Sequence, residues 1–493
     1  MDEKSEKRPL SVIVQILVCL MGMASWIDIN GLWVQLPLMV NYLPEGWNLP
    51  SYLVIIIQVA NVGPLLFTIT SRFTDRRIEI PTNYVIILVG CVSCILLAFY
   101  WDVTSYFGDE EHSTVLLCLS FCLALVDCTS SVSFLAFMSL FPLGYMTAYF
   151  IGEGLSGLIP SIIALIQGVG GNAECRNSTF LNETSNTTYH QMTYYYPPAR
   201  FSLEVFFFIL FAMLFCSFVS FGMLNHLPLA KREQVKSKKY EKEGDGTAAY
   251  GAVGDGSSET DSWELEKNKS LKSSEAQFSG ESEDEASETR SSSSTKPVLP
   301  KNVEVDVMMK QSEKYMSGWD WVFLMSIQAW VNGLSNGVLP SVQSYSALPY
   351  GNVAYHLAVT LGQIANPAAC LIVYFLPTRN IAVIGAFAFL GTGMASYIMW
   401  LALESPTPFL CGSVWGEVLV VAAWILMAGL FTYTKVMIGT ICRDHGRKAL
   451  IWCGAVMQAG SLIGSIIIFP LVNNLHLFTS NDPCGDTCWD YRT

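Results

Sequence analysis

Charged residues are scarce in this chain of 493 residues: Asp, Glu, Lys and Arg together make up 14%, whereas 52% of the residues are hydrophobic. About a quarter of the residues are charged in a typical soluble globular protein, so this composition excludes that class. The sequence also lacks a phosphate-cradling Gly-x-x-x-x-Gly-Lys and a zinc-binding His-Glu-x-x-His, which argues against an ATP-driven pump and a metalloprotease. We expect no enzyme activity, no resident cofactor and no nucleic-acid partner.

Long apolar runs account for most of the chain. A helix needs about 20 apolar residues to cross the hydrocarbon core of a bilayer. Eleven runs predict such spans, over 10–40, 51–71, 83–101, 114–139, 144–169, 202–224, 319–340, 352–376, 381–403, 414–440 and 449–475. The charged first ten residues also fit a cleaved signal peptide, but cleavage would remove half of a motif that recurs later. We therefore predict an all-α integral membrane protein with eleven transmembrane helices in a lipid bilayer.

The basic residues predict the orientation of these spans. They cluster after or before alternate spans, at Lys4–Arg8, Arg72–Arg77, Lys231–Lys239 and Arg443–Lys448. Loops on the cytoplasmic side of a membrane protein carry an excess of Lys and Arg. Eleven spans with the N-terminus in the cytoplasm place all four clusters inside and put the C-terminus outside.

The first and seventh spans carry the same short motif. Asn-Gly-Leu precedes Leu-Pro at Asn30–Pro37 and again at Asn332–Pro340. The second and eighth spans also match, since each has an Asn shortly before a Pro, at Asn61 and Asn366. Stretches of small residues recur in the fifth and eleventh spans and permit close helix packing. Matched, helix-weakening residues in two parallel halves are typical of a major-facilitator-like or equilibrative-nucleoside-transporter-like carrier with a central substrate site.

A polar segment separates the two halves. Residues 225–318 begin basic and then become rich in Ser, Gly and acidic residues, a composition that cannot bury enough apolar surface to fold. It suits either a solvated tether or a phosphorylation or trafficking segment. We predict an N-terminal six-helix bundle over 1–224, a disordered cytoplasmic loop over 225–318, a C-terminal five-helix bundle over 319–475 and an extracellular tail over 476–493.

Two further signals agree with this orientation. Three glycosylation sequons lie close together in the predicted extracellular loop 170–200, at Asn177, Asn182 and Asn186. Such a cluster is typical of a glycosylated loop. Four of the 14 cysteines lie on the predicted outer side: Cys175, Cys411, Cys484 and Cys488.

An even set of cysteines in an oxidising compartment predicts two disulfides. We expect Cys411 to pair with Cys484 or Cys488 in the tail. The spacing of the two tail cysteines also resembles half of a zinc site, but no second Cys or His pair accompanies it. We therefore predict no metal.

Laid out as a straight helix at 100° per residue, the first span carries polar side chains on two opposite faces. One face carries a stripe of aromatic and amide residues, Trp26, Asn30, Trp33 and Pro37. The other carries Asp28 and Gln35, about 10 Å apart along the axis. A helix that is polar on two sides cannot face lipid on either of them. The first span is therefore predicted to be central.

The stripe offers flat π-surface and amide groups, which suit a planar, neutral, hydrogen-bonding ligand. Amides of the second, seventh and eighth spans complete the predicted substrate site: Trp26, Asn30, Trp33, Asn61, Asn332, Asn336, Gln363 and Asn366. The alternative is that the amides only bridge helices and that the tryptophans anchor the span at the membrane interface.

Ionisable residues inside spans are functional candidates, because an unpaired buried charge is costly. They are Asp28, Asp127, Glu153, His356, Glu417 and Lys435. Asp127 and Glu153 are candidate proton carriers, since a desolvated carboxylate tends to take up a proton. A pair between Asp127 and Lys435 would join the halves, whereas the alternative for Lys435 is snorkelling to the inner headgroups. We expect His356 and Glu417, near the outer ends, to be solvated.

Several short segments form a recognisable set, Gly31–Pro37, Leu43–Trp47, Leu49–Tyr52, Ala124–Val132, Gly152–Gly157, Leu339–Gln343 and Val353–Leu357. Together they resemble the vertebrate riboflavin transporters, solute carrier family 52. The resemblance covers nearly all spans and fails only in the sequon loop and the polar segment. Within that family, Ile57–Leu66 is most similar to the third, intestinal member.

The resemblance implies sodium-independent riboflavin uptake at the plasma membrane by alternating access, favoured by external acid in the third member. It implies riboflavin as the transported substrate, eleven spans, and an extracellular disulfide that ties the C-terminal tail to the loop before the tenth span. Family members carry Glu at the position of Gln35 and Thr or Ala at that of Asp28. We hypothesise that a proton-coupling carboxylate has moved two turns along one helix and kept its role.

Two other functions remain open at the level of the sequence. A nucleoside or other heterocycle carrier would use the same stripe, since a purine is also planar. A non-transporting cell-surface receptor is the second, because some members of the family resemble receptors for a viral envelope protein. The intramembrane Asp127 and Glu153 argue against a purely adhesive role.

Overall fold

Helices make up nearly all of the regular structure. The computed structural model describes residues 11–74, 77–169, 171–182, 187–234, 317–445 and 447–480. The helices before the polar segment are α1 (Val12–Met23), α2 (Ile27–Met39), α3 (Leu49–Ala60), α4 (Val62–Phe73), α5 (Glu79–Tyr100), α6 (Thr114–Met138), α7 (Met146–Gln167), α8 (Leu203–His226) and α9 (Pro228–Glu233). Two antiparallel hairpins lie between them, β1 (Ser105–Phe107) with β2 (Glu110–His112) and β3 (Glu174–Asn182) with β4 (Thr187–Tyr195).

The second half repeats this plan with shorter pieces around the seventh span. Its elements are α10 (Gly318–Asn332), a π-helix (Gly333–Val338), α11 (Leu339–Ser341), α12 (Gln343–Ala347), α13 (Asn352–Phe375), α14 (Ile381–Leu403), α15 (Val414–Asp444) and α16 (Arg447–Asn473).

Nine helices in the described part of the chain are long and apolar enough to cross a membrane, and α1 with α2 adds a tenth if the bent pair is one span. The all-α membrane fold is confirmed, but the count of eleven is not. The difference lies in the predicted span 319–340, where α10 ends after 15 residues. A π-helix and the three-residue α11 follow it, so no single helix there reaches the length of a span.

The break in the seventh span follows from one additional residue. Pro37 lies seven positions after Asn30, whereas Pro340 lies eight positions after Asn332. A π-helical turn accommodates a single inserted residue within an α-helix. The π-helix lies between the two ends of the second motif, so the insertion explains why the matched spans differ in shape.

Corresponding helices of the two halves pack in the same way. The first half packs α1 on α7, and the second packs α10 and the π-helix on α16. Likewise, α3 contacts α6 as α13 contacts α15. Between the halves, α13 contacts α2 and α7, while α3 contacts α11 and α16. These matched contacts agree with the parallel repeat that the sequence predicts.

Glycines allow the closest of these helix crossings. A Cβ on Gly152 of α7 would overlap the carbonyl oxygen of Cys19 in α1. In the second half, a Cβ on Gly464 of α16 would overlap the carbonyl oxygen of Gly333. The small residues of the fifth and eleventh spans therefore bring backbones together, as the sequence predicts.

The segment predicted as a disordered loop begins later than expected. Its first residues form the end of α8 and all of α9, where Ala230 is fully buried and the Tyr145 hydroxyl donates to the Glu233 carboxylate at 3.0 Å. The prediction is wrong there because apolar residues still precede the basic run. Residues 235–316 lie outside the described residues, and so do Asn186, Cys484 and Cys488. Asn177 and Asn182 lie on β3.

Candidate functional site

Two side chains of α6 replace a backbone hydrogen bond of the first span at its bend. α1 and α2 meet at 50°. At the bend, the Ile29 N–H donates to Oδ2 of Asp127 at 2.9 Å instead of to the carbonyl four residues earlier. That carbonyl, of Ser25, accepts from the Ser130 hydroxyl at 2.9 Å. Side chains that insert into the helical ladder and replace its hydrogen bonds cause kinks. Asp127 and Ser130, three residues apart on one face of α6, therefore hold the bend.

A buried carboxyl pair lies beside this bend. Asp28 and Asp127 are both fully buried, and the charge of Asp28 acts on Asp127. The Cys94 thiol donates to Oδ1 of Asp28 at 3.8 Å. Within the described part of the chain, Oδ2 of Asp28 and Oδ1 of Asp127 have no hydrogen-bond partner. Two buried carboxylates that act on each other, with no cation acting on them in the described part of the chain, are not readily ionised together.

The stripe on the first span is only partly formed. Eleven of the 13 residues of α2 are buried, as expected for a central helix. Asn30 is half-buried, and its amide lies against Gly157 of α7. Trp33 donates through Nε1 to Oε1 of Gln343 in α12 at 3.0 Å. Trp26 does not continue the stripe, because it lies in the bend before α2 with φ −140°. The straight-helix prediction is wrong at that position.

Gln35 has different neighbours from Asp28. Its Nε2 donates to Oε1 of Gln167 at 2.7 Å, and Gln167 in turn donates to the Phe201 carbonyl at 3.1 Å. Asp28 instead faces α5 and α6 through Cys94 and Asp127. This separation gives no support to the hypothesis that a carboxylate at one position replaces one at the other.

A chain of polar contacts connects α15 with the broken seventh span. The Lys435 ammonium donates to the Ser335 hydroxyl at 3.3 Å. That hydroxyl donates to Oδ1 of the Asn336 side chain at 3.2 Å. The Asn336 amide donates to Asn332 at 3.2 Å and to the Ser461 hydroxyl at 3.3 Å. Asn336 is exposed, whereas Asn332 is fully buried and donates to its own helix. Asn332 therefore braces the break, and Asn336 is available to a ligand.

A second polar group lies beside this chain. The Thr432 hydroxyl donates to the Asn366 carbonyl oxygen at 2.6 Å, and the Asn366 amide donates to Gln363 at 3.3 Å. Thr432 precedes Lys435 by three residues, so the two share one face of α15. The structure thus brings the predicted Gln363 and Asn366 next to Lys435, and both are half-buried.

Glu153 approaches this region from the first half. The Cys370 thiol, one turn after Asn366 on α13, lies within electrostatic reach of both Glu153 and Lys435. The predicted pair of Asp127 with Lys435 is not formed, because the Asp127 carboxylate bonds the backbone of α2 and the Lys435 ammonium bonds Ser335. Glu153 in the first half and Lys435 in the second are the charged groups that act on the Cys370 thiol.

The predicted residues therefore form two groups rather than one. Asn30 and Trp33 lie on α2, and Asn336, Gln363 and Asn366 surround Lys435; α13 packs on both α2 and α15. Asn61 is half-buried at the junction of α3 and α4. Gln343, Thr432, Ser335 and Ser461 were missed. Thr432 had a sequence signal in its position one turn before a lysine inside a span, and Ser335 and Gln343 lie in the motif segments Asn332–Pro340 and Leu339–Gln343.

Contacts between the halves close one end of the bundle. We call it the outer end, which carries the loops 40–48, 101–113, 168–202 and 404–413. The cross-half hydrogen bonds there join Asn41 with Asn352, Ser51 with Asn473, Trp47 with Ser344, Asn48 with Tyr345 and Asn172 with Val353. Among the described residues, no side-chain hydrogen bond joins the halves at the opposite end. The structure is therefore in a state closed at the outer end.

His356 belongs to this closure and is not solvated as expected. It is 5% exposed, and its imidazole approaches the backbone of Ala164 in α7 without a hydrogen bond to either ring nitrogen. The prediction is wrong because α13 packs on α7 at this level, which removes the outer end of α13 from solvent.

Sequence comparison places the chain in a family. The profile "Solute carrier family 52, riboflavin transporter" matches residues 10–480. Member 3-B of that family from Danio rerio is 44% identical over 484 residues, which cover 97% of this chain and 100% of the relative. Member 3 from Homo sapiens is 40% identical over 516 residues, with the same coverage of both chains. This chain belongs to solute carrier family 52.

Solved structures resemble this solute carrier only distantly. The nucleoside transporter NupG has a TM-score of 0.48 and 11% sequence identity, with 97% of this chain and 93% of NupG covered. That likeness is too weak to bear on the site or the mechanism.

One sequence feature of this solute carrier is typical of a different class of protein. Gly333, Ser335 and Gly337 have the Gly-x-Ser-x-Gly spacing of serine hydrolases. In those enzymes the serine sits on a sharp turn between a strand and a helix. Here the segment is a π-helix, and the Ser335 hydroxyl accepts from Lys435, so the spacing follows from helix packing.

We expect Trp33→Phe to favour opening of the outer end of this carrier. The change keeps an aromatic ring but leaves the Gln343 carbonyl oxygen buried without its donor, which costs the closed state about 1–3 kcal/mol. The measurement is labelling of a cysteine placed at Ser51, which is buried in the closure, by a membrane-impermeant maleimide. Labelling should rise about tenfold.

Trp330→Phe is the matched control, because Trp330 donates only within the second half, to Thr392 at 3.1 Å. Equal labelling of the two variants would mean that the bond between Trp33 and Gln343 does not hold the outer end closed.

Proposed function

We propose that this chain carries riboflavin across the plasma membrane by alternating access, independently of sodium. The observation that carries the proposal is the full-length match to relatives named riboflavin transporters, 40% and 44% identical across 97% of this chain. A substrate site between two pseudo-symmetric halves, closed at one end, is what alternating access requires.

The flavin ring suits the chemistry of both polar groups. Isoalloxazine is planar and has hydrogen-bond donors and acceptors along its edge, so it matches the ring of Trp33 and the amides of Asn30 and Gln363. The ribityl chain carries hydroxyls, which match Asn336 and the ammonium of Lys435. We propose these residues, with Asn366, as the substrate contacts. Trp26, Asn61 and Asn332 then stabilise the broken spans.

Glu153 and Lys435 are the proposed charge pair of the transport cycle. They approach the same thiol from opposite halves, so any movement of one half against the other changes their separation. A proton on Glu153 weakens that attraction, which would make uptake acid-stimulated; a permanently ionised Glu153 would leave it facilitative. Gln35 takes no part in this pair, since it bonds Gln167.

The outer end is proposed to face the extracellular space, with the N-terminus in the cytoplasm. Cys175 and Cys411 are each disulfide-bonded, which supports an oxidising compartment at that end. We propose glycosylation of Asn177, Asn182 and Asn186 on the same side, and disulfides from Cys411 and Cys175 to the tail cysteines Cys484 and Cys488.

Uptake of labelled riboflavin into cells that express this chain tests the proposal. We expect saturable uptake that excess lumiflavin blocks, that excess adenosine or uridine leaves unchanged, and that replacement of sodium does not affect. If Glu153 carries a proton, uptake rises from about pH 7.4 to about pH 6 and Glu153→Gln removes the rise. Absence of uptake with the protein shown at the surface would contradict the riboflavin assignment.

A further inference from the structure

We propose that Asp28 and Asp127 bind one proton between them, at a site inside the first half and separate from Glu153 and Lys435. The proton site requires no substrate and goes beyond the transport activity proposed above. Only its consequence for uptake rests on that activity.

The pair presents two buried carboxyl oxygens that can share one proton. Both residues are fully buried, and each presents one oxygen without a donor, Oδ2 of Asp28 and Oδ1 of Asp127. Oδ2 of Asp28 lies so close to Gly90 that a Cβ there would be 2.9 Å away, which leaves no room for a larger group. A buried carboxylate with an unsatisfied oxygen is costly. One proton converts an acceptor into a donor and removes one of two like charges.

Among the residues that the structure describes, no cation acts on either carboxyl of the pair. The titratable groups that face it are thiols, of Cys91 and Cys94 from α5 and Cys128 from α6. α7, α8 and α13 also pack on α2, but none of their acidic or basic side chains acts on either carboxyl; these are Glu153, Glu204, His226 and His356. A hard metal ion needs several more oxygen ligands than two carboxyls provide. A proton is the ligand that this chemistry fits.

The hydrogen bonds indicate which residue holds the proton. Asp127 accepts the Ile29 N–H at 2.9 Å, and a backbone hydrogen bond to a carboxylate favours its charged form. The donor to Asp28 is a thiol at 3.8 Å, and thiols donate weakly. Asp127 is therefore the ionised partner, and Asp28 carries the proton.

The proton stabilises the bend in the first span. Without it, the charge on Asp28 repels the Asp127 carboxylate that holds the Ile29 N–H. A released N–H can bond the Ser25 carbonyl again, as in an uninterrupted helix. Asn30, the next residue, faces the proposed substrate site. Loss of the proton therefore changes the backbone one residue away from a proposed substrate contact.

Thermal unfolding of the purified full-length protein without riboflavin tests the site. The folded protein retains a proton that the unfolded chain releases at neutral pH, so its stability falls as pH rises. We expect the melting temperature to fall by about 1 °C per pH unit from about pH 4, where the unfolded carboxyl loses its proton, up to the pH at which the folded pair loses its own, and to level off above that pH. Asp28→Asn should remove that slope, because an amide has no proton to lose.

Glu79→Gln is the matched control, since it removes a carboxyl of α5 in the same half but leaves the pair intact. It should keep the slope that Asp28→Asn removes. A slope unchanged by both Asp28→Asn and Asp127→Asn overturns the proposal, and a slope that disappears when choline replaces sodium overturns the assignment to a proton. Infrared spectra provide a second readout, in which Asp28→Asn should lose a protonated-carboxyl band.

The two proposals fail separately. A slope and band that depend on Asp28 in a chain that takes up no riboflavin would retain the proton site and contradict the transport assignment. Riboflavin uptake by a chain whose melting temperature shows no such slope would retain the transport assignment and contradict the proton site.

Discussion

Gly152→Ala should remove most of this protein from the cell surface. An added Cβ overlaps the Cys19 carbonyl and lies 3.1 Å from the Cα of Gly22. Both obstacles are backbone atoms of α1, which cannot rotate away as a side chain can. We expect a loss of about 3 kcal/mol or more in stability and a fall in surface abundance of about tenfold, measured by surface biotinylation.

The same helix provides the control. A Cβ on Gly154, two residues along α7, meets no atom within 4 Å, so Gly154→Ala should reach the surface at close to the wild-type level. The second half offers a matching comparison, Gly464→Ala at the crossing with the π-helix against Gly454→Ala in open space. If both members of either pair behaved alike, close backbone contact would not be what these glycines provide.

Lys435→Met should lower riboflavin uptake by about 10- to 100-fold at unchanged surface abundance, the loss expected when a charged hydrogen-bond donor is removed. The change removes the donor to Ser335 and a cation that, like Glu153, acts on the Cys370 thiol, while Met retains the volume of the side chain. Lys435→Arg keeps the charge and should retain part of the activity. Uptake is to be measured per surface molecule, over a range of riboflavin concentrations.

The outcome also decides between two roles for this lysine. If its stem only crosses the bilayer so that the ammonium reaches the inner headgroups, Met would replace it without loss and uptake would stay within about twofold of wild type. A large loss of uptake in Lys435→Met, with part of the activity kept in Lys435→Arg, would mean that the charge acts in the substrate region.

The membrane fold could be predicted from the sequence because its causes are local. The length of an apolar run, the Lys and Arg beside it and the recurrence of Asn30–Pro37 at Asn332–Pro340 are all visible along one stretch of chain. Even the extra residue behind the π-helix can be counted in the sequence.

The site was less predictable because its geometry depends on distant partners. The bend that displaces Trp26 is made by Asp127, 98 residues from the N–H that it binds. Trp33 is bound by Gln343, which lies 310 residues away. Periodicity places residues on one helix and assumes that helix to be straight, so it cannot show that a second helix opens the first or that a predicted ligand contact is already engaged.

The two matched spans are broken by different means, and the difference has a consequence for control. In the seventh span the irregularity is a surplus residue, a covalent fact that no change of solution conditions can reverse. In the first span it depends on a carboxylate that competes with a backbone carbonyl for one N–H. A hinge of the first kind is permanent, whereas a hinge of the second kind can be loosened or tightened by a single proton. If the proposed proton is shared by Asp28 and Asp127, the pseudo-symmetric halves differ in what they can sense: of these two breaks, acidity adjusts the one in the first span.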